Sequence, residues 1–489
     1  MREKLYIRTV DDVNLLNGMS SSEDTVWGWR IRHRASHIPI EKLESMRLQA
    51  DDLADDCFLA LLTKYPQLGS APVGSLRIAL QAELSVFRRK EGFEAEYDSQ
   101  DSRIKKFFRS VCEVPDWLDW ELLKEGQAMF LSYSTSSAMG LLYFSLIGGF
   151  SAPKIIAVLD KTGYLSRSSK NSTYRRLNET MEMVVDCLEE DDGLIEGAQG
   201  WLSVLKVRLL HARVRYRITK AGDDSPDGGD TDLMDSSTNR VTKGWDAKEN
   251  GVPINQEDMV GTLLSFSINV IETCERIGAP FLTDHERTAY LHLWRYIGYL
   301  IGVREEHNPC SSITRARGAV ESIVLHLLHP NERSQTVANH VIRSVSYRPP
   351  ANFSPQMHSE MARGLLGSEL ADALALPSNE DDPFIKLYAL WVFFVLRVLA
   401  LVLPFLIHTR SERGRTGLAN ARKRLRAVVN MALKRGSSTD ANALKRQQTS
   451  SADRNKDGEA PSAPVSSCPF GYTAASGVVA PHPVYSSRK

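Results

Sequence analysis

Few side chains in this sequence stand at spacings that could support chemistry, and the first is a histidine. His211 lies within WLSVLKVRLLHARVRYRI, residues 201–218. At helical spacing Val204, Val207, His211, Val214 and Ile218 share one face, which puts an imidazole at the centre of an aliphatic stripe. Such a ring has two readings. It can be a core histidine whose nitrogens are satisfied by neighbours, the ordinary outcome. It can also be an axial ligand to a metal or haem iron, because a neutral imidazole on a rigid helix facing an apolar cavity suits that role. Spacing does not choose between them. Arg208 and Arg215 flank the stripe and Arg213 and Arg217 point away from it, so the rest of the helix is expected to offer a basic surface.

The second constellation is acidic. Asp51, Asp52, Asp55 and Asp56 form a DD-x-x-DD pattern on a helical stretch, where Leu53, Cys57, Ala60 and Leu61 recur at three- and four-residue steps. Carboxylates so placed can hold a divalent ion, but no second acidic motif follows, and a solvated acidic face is the preferred reading. The third is Arg176, Glu179 and Thr180 in RRLNET, where Arg176 and Thr180 are one helical turn apart. Taken alone these are a surface Arg, Glu and Thr. His292 and His326 fall on helical stretches and read as structural.

The elements that must position these groups are helices. In Val114–Phe150, Trp117 and Trp120 open a helix that Asp116 could cap, and the charge-free run 138–150 reads as a core helix. Two helices follow over 151–190, the second carrying Leu177, Met181, Val184 and Leu188 as its buried stripe. Asn255 is a plausible cap for a helix through Met259, Leu263, Phe266, Val270 and Cys274, stopped by Gly278. Thr283 and Glu286 form a T-x-x-E capping box for the next, and a further helix covers 313–329. No stretch alternates like a β-strand. The insertion 222–244, with six aspartates among Gly, Ser and Pro, is expected to be flexible.

Residues 386–408, KLYALWVFFVLRVLALVLPFLIH, form the most hydrophobic segment. Its length meets the requirement for a transmembrane helix, but Arg397 at its centre opposes insertion. A spanning anchor, a helix lying in the membrane interface and a core helix packed on the catalytic body all remain open. From Arg410 to the end there are 15 Lys and Arg against 5 Asp and Glu. This basic tail suits a cytoplasmic, anionic lipid surface, and it is expected to be disordered from Gly436 onward. The whole chain of 489 residues has zero net charge, so the body before the tail is mildly acidic and gives no nucleic-acid footprint. Six scattered cysteines without a CxxC pair fit a reducing compartment. The N-terminal MREKLYIRTVDDV has no apolar core of a secretory signal.

Several stretches, taken together and in order, resemble a known family. Arg176-x-x-x-Thr180, VRLLHA around His211, GVPINQEDM and YLHLWRYIGYLIGV are similar to blocks of the haem oxygenases typified by bacterial latex-clearing protein (rubber oxygenase), whose fungal relatives are bound to the endoplasmic reticulum. The resemblance spans about Trp117 to Leu328. It implies an all-α, globin-related multi-helix body holding haem b, with His211 as the proximal iron ligand and Arg176 and Thr180 flanking the distal pocket. In that context Arg176 would pair with a haem propionate, and Thr180 would donate to bound oxygen or hold a water. Glu179 departs from the family pattern, standing where the latex-clearing enzymes carry a distal lysine. Asp160 lies in the region of a glutamate that those enzymes use as a candidate base.

The expected organisation is a helical N-terminal extension over 1–113, a haem oxygenase-like catalytic domain over 114–345, a C-terminal helical segment over 346–408 and a basic tail over 409–489. The expected activity is O2-dependent oxidation, with cleavage, of a carbon–carbon double bond in a hydrophobic, isoprenoid-like substrate. The alternatives are a haem and O2 sensor or carrier without turnover, and a helical interaction protein that has lost its cofactor. Membrane association, at the endoplasmic reticulum for example, is expected, with a cytoplasmic location as the other outcome and no nucleic-acid partner.

Overall fold

The computed structural model describes residues 23–32, 36–90, 99–163, 165, 169–188, 193–220, 245–279, 282–349, 351–379, 382–407 and 417–433. The insertion 222–244 and the tail from 434 lie outside the described residues.

Helices dominate, as the periodicity requires. The N-terminal part supplies α1 (Ile40–Arg47), α2 (Asp52–Lys64), α3 (Gly74–Lys90) and α4 (Ser99–Cys112). Next come α5 (Trp120–Ser132) and α6 (Ser134–Met139), the latter running on as a π-helical turn over Gly140–Ile147. Asp119, rather than Asp116, caps α5, accepting from the backbone N–H groups of Glu121 and Leu122. The helices around the candidate site are α7 (Pro153–Thr162), α8 (Lys170–Cys187) and α9 (Gln199–Lys220). They are followed by α10 (Gln256–Phe266) and α11 (Ile268–Ile277), which break at Ser267 where the sequence suggested one helix. Both expected capping boxes are present, Asn255 with Asp258 on α10 and Thr283 with Glu286 on α12 (Asp284–Ile301). The chain continues through α13 (Ile313–Leu327), α14 (Glu332–Val345), α15 (Pro355–Leu366), α16 (Ser368–Ala373), α17 (Pro383–Ile407) and a last helix over 417–433.

One short hairpin has no counterpart in the sequence reading. Strands β1 (Glu23–Val26) and β2 (Trp29–Arg32) pair antiparallel, joined by Trp27 and Gly28, both at positive φ as a tight hairpin turn demands. Four-residue strands are too short to display alternation. The indole of Trp27 donates to the Leu328 carbonyl and that of Trp29 to the Leu366 carbonyl, which ties the hairpin across α13 and α15.

Two hydrophobic cores hold the helices. The larger gathers Phe58, Phe107, Phe130, Trp201, Leu205 and Tyr290 from α2, α4, α5, α9 and α12. The second gathers Tyr143, Ile147, Val341, Met361, Leu366 and Leu396 from the π-helical turn, α14, α15 and α17. The N-terminal helices thus pack directly onto α9, the helix of His211.

Candidate functional site

Helix α9 is long because nothing in residues 199–220 breaks it, and it is held in place by its arginines. Arg208, one turn before His211, donates through Nε and Nη2 to Asp51 at 2.7 and 3.0 Å and through Nη1 to the Leu300 carbonyl. Arg215, one turn after His211, donates from Nε to Asp55 at 2.8 Å and from Nη1 to the Ile254 carbonyl. Arg213 donates to the Ala71 carbonyl at 2.7 Å. All three guanidinium groups are buried. The sequence reading of a basic outer surface on this helix is therefore corrected: burial without partners would be prohibitive for these charges, and Asp51 and Asp55 at the start of α2 serve Arg208 and Arg215 while backbone carbonyls before α3 serve Arg213. The acidic run is corrected with it. Asp51 and Asp55 turn inward as counter-ions of α9, while Asp52 and Asp56 stay exposed. Gly302 completes the clamp, since its left-handed backbone (φ 96°) ends α12 and any Cβ there would strike Asp51 and Arg208.

Beside this clamp, the stripe predicted around His211 divides into two zones. Val204 and Ile218 are buried in the core, whereas Val207, His211 and Val214 are only half-buried. Helix α8 packs along α9 and α7 touches it, and they too carry half-buried apolar residues, Leu177 and Met181 on α8 and Val158 and Leu159 on α7. The His211 Nδ1 atom is sealed from solvent and has no hydrogen-bond partner among the described residues. Burial, with the Arg215 charge adding to it, lowers the imidazole pKa to about 4 against the opposing pull of Asp51. The ring is therefore neutral at pH 7, the protonation state that a metal ligand needs.

The other predicted residues fall as follows. Arg176 reaches from α8 to the Gly163 carbonyl at the end of α7, at 3.5 Å. Thr180 turns its hydroxyl back to the Arg176 carbonyl at 3.2 Å. Glu179 accepts from Arg175 Nε at 3.0 Å on the exposed side of α8. Asp160 belongs to α7, with its side chain outside the described residues. His292 accepts the backbone N–H of Asp119 at 3.0 Å and packs edge-on to Trp117.

Sequence reasoning passed over one chemical feature. Glu257 and Asp258 on α10 are adjacent and buried; Glu257 pairs with Arg47. Burial pushes Glu257 up to about 7 and Asp258 up to about 6, against the lowering effect of Arg47 and of Lys154 on α7. The signal was present as a Glu-Asp doublet at the head of an otherwise apolar helix, inside GVPINQEDM.

Comparison with known proteins decides the family. The family described as ER-bound oxygenase mpaB/B'/Rubber oxygenase, catalytic domain, matches residues 131–398, more than half of the chain. The chain belongs to this family. Its match begins within α5 and ends within α17, so it extends beyond the 117–328 over which the sequence blocks were recognised. The chain is 22% identical over 279 residues to the rubber oxygenase of Streptomyces sp. (strain K30), covering 56% of this chain and 60% of that protein. A solved structure of the latex clearing protein LCP in the closed state superposes with a TM-score of 0.51 at 17% identity, covering 78% of this chain and 91% of that one. The oxygenase family and the predominantly helical fold expected from the sequence are both borne out, the short β1–β2 hairpin apart.

Proposed function

We propose that this oxygenase-family protein is a haem b enzyme that uses O2 to oxidise and cleave a carbon–carbon double bond of a hydrophobic, polyisoprenoid-like substrate. The observation that supports this most directly is His211: a neutral ring with a partnerless, sealed nitrogen, on a half-buried aliphatic face, in a helix fixed by an Arg–Asp pair one turn to either side. An unpaired buried nitrogen costs about 1–3 kcal/mol; with Nδ1 sealed by protein, this half-buried ring would take a ligand through Nε2. The residues present therefore fit a haem.

In this reading His211 would hold the iron. Arg176, already bridging α7 and α8, pairs with a propionate. Thr180, whose hydroxyl now donates to the Arg176 carbonyl, would be placed to turn it toward the pocket and hold a water. The haem, when bound, supplies the oxygen activation. Val207 and Val214 on α9, Leu177 and Met181 on α8 and Val158 and Leu159 on α7 supply apolar walls that exclude water and accept an alkene. Cleavage by one O2 balances when each former alkene carbon leaves as a carbonyl carrying one oxygen atom. Glu179 does not take part as a distal ligand, being engaged by Arg175. Such a substrate partitions into lipid, which suits a membrane-associated protein, at the endoplasmic reticulum for example.

The test is the optical spectrum of the purified full chain, which shows a Soret band that disappears in His211→Ala. An intact, stoichiometric haem spectrum in that variant would overturn the assignment. Glu179 in place of a distal lysine favours a second reading, a haem and O2 carrier without turnover. Oxygen consumption and mass spectrometry with prenylated compounds separate the two, because a carrier releases no carbonyl product.

A further inference from the structure

Helix α17 is long and apolar enough to cross a membrane over Pro383–Val402, yet its two faces differ. Ala389, Val392, Leu396 and Ala400 form one stripe, each buried; Leu396 is 4% exposed. That stripe packs on α11 and α15. On α15, Gly364 lies so close beneath Phe393 that a Cβ there would enter the ring. The opposite face carries Phe384, Leu387, Leu390, Trp391, Phe394 and Val402. There Phe384 is 81%, Leu390 65%, Trp391 56% and Phe394 62% exposed. An open apolar strip of that size marks an interaction surface.

Two observations say what covers it. First, charge: 383–407 contains no acidic residue and carries Lys386 and Arg397, whereas on 417–433 Arg426 pairs with Asp186 and Arg422 donates to the Leu188 carbonyl, so those two belong to the body. Lys386 and Arg397 are three helical turns apart and so lie along the same flank, at the border between the buried and open faces. Arg397 leans on the C-terminal end of α11, against Gly278, where helix carbonyls face it. The open face is thus free of charge and edged by cations, the arrangement of a helix lying in a lipid interface. Trp391 and Tyr388 stack at 5.9 Å on this side, residue types that favour the headgroup level. An antiparallel second copy fits poorly, because a two-fold contact of that kind on this face would bring Lys386 and Arg397 against cations of the same flank. Second, attachment: α17 is fixed to α11 and α15, which bear Glu272, Glu275, Glu360 and Arg363. A spanning α17 would draw these ionised groups toward hydrocarbon depth.

From this we infer that the open face of α17 inserts into one leaflet of an anionic membrane, with the helix axis in the plane of the bilayer, so that the catalytic body sits on the surface without a spanning segment. The inference takes from the proposed function only its membrane association, and its test reads no haem and no turnover. Full-chain protein is floated with sealed vesicles of 70% phosphatidylcholine and 30% phosphatidylserine. Wild type floats, and pure phosphatidylcholine or 1 M salt lowers the bound fraction several-fold. The variant L387E/L390E/F394E, altered only at exposed positions, keeps its melting curve and loses at least ten-fold in binding. Brominated acyl chains quench wild-type fluorescence more than that of Trp391→Phe, and trypsin outside the vesicles removes the tail beyond residue 433. Wild type that stays unbound, or a triple variant that binds as wild type does, overturns the inference. So does a tail protected from trypsin, which means spanning, or a vesicle-free dimer that the triple variant dissociates, which means a second copy.

Discussion

In α9 the guanidinium groups of Arg208, Arg213 and Arg215 are buried, while the aliphatic residues beside His211 remain half-open. In α17 the order is reversed: small and aliphatic residues meet the body, and Phe384, Leu390, Trp391 and Phe394 face outward. Each helix departs from the rule of apolar inside and polar outside, and each departure coincides with a proposed role. On α9 the buried cations are tolerated because Asp51 and Asp55 meet Arg208 and Arg215 and a backbone carbonyl meets Arg213, and the rigid helix that results presents one neutral imidazole. On α17 no such partner exists among the described residues, so the apolar face is left for an external one.

The contrast can be broken most completely at His211. His211→Ala abolishes haem retention and with it the Soret band and O2 consumption, while the melting temperature of haem-free protein stays near that of the haem-free wild type. Next in size is the clamp. Asp51→Ala leaves Arg208 buried and uncompensated, which costs about 3–5 kcal/mol, read as a lower urea midpoint and reduced haem content. Its neighbour Asp52, whose side chain is 80% exposed, changes stability by less than about 0.5 kcal/mol when replaced by Ala. On α17, Leu396→Ala from the buried stripe costs about 2–5 kcal/mol in the same assay.

A smaller effect comes through pH at the helix that supports α17. His358 on α15 is buried beside the Tyr143 hydroxyl, at 2.7 Å from Nδ1, and burial lowers its pKa to about 4. Between that value and the ordinary one near 6.5 the unfolded chain takes up a proton that the folded chain refuses. Stability is therefore complete above about pH 6.5 and falls as pH drops toward 4, by at most about 3 kcal/mol from this group. Urea unfolding at pH 7 and 4.5 shows a smaller pH difference in His358→Gln. The smallest effect is Leu390→Ala on the open face, within about 0.5 kcal/mol; a larger loss would mean that this face is covered by the chain itself.

Local signals were readable in the sequence wherever the interaction is local. The capping boxes Asn255/Asp258 and Thr283/Glu286 join residues three apart, and both form. The stop at Gly278 is one left-handed residue. The cap of α5 was misplaced by three residues, because Asp116 and Asp119 both precede tryptophans and only the backbone path separates them. The π-helical turn at Gly140–Ile147 left no mark, since an apolar run reads the same at either pitch.

What the amino-acid order determined was the helical frame, the placement of His211 on an aliphatic stripe, and a segment at 383–407 too apolar to be ordinary surface. Tertiary structure alone decided which charges are inside and which apolar face is outside. Asp51 and Arg208 are 157 residues apart, and periodicity over one or two turns carries no information about a partner so distant. Burial of a charge depends on that partner, so a single helix cannot disclose it.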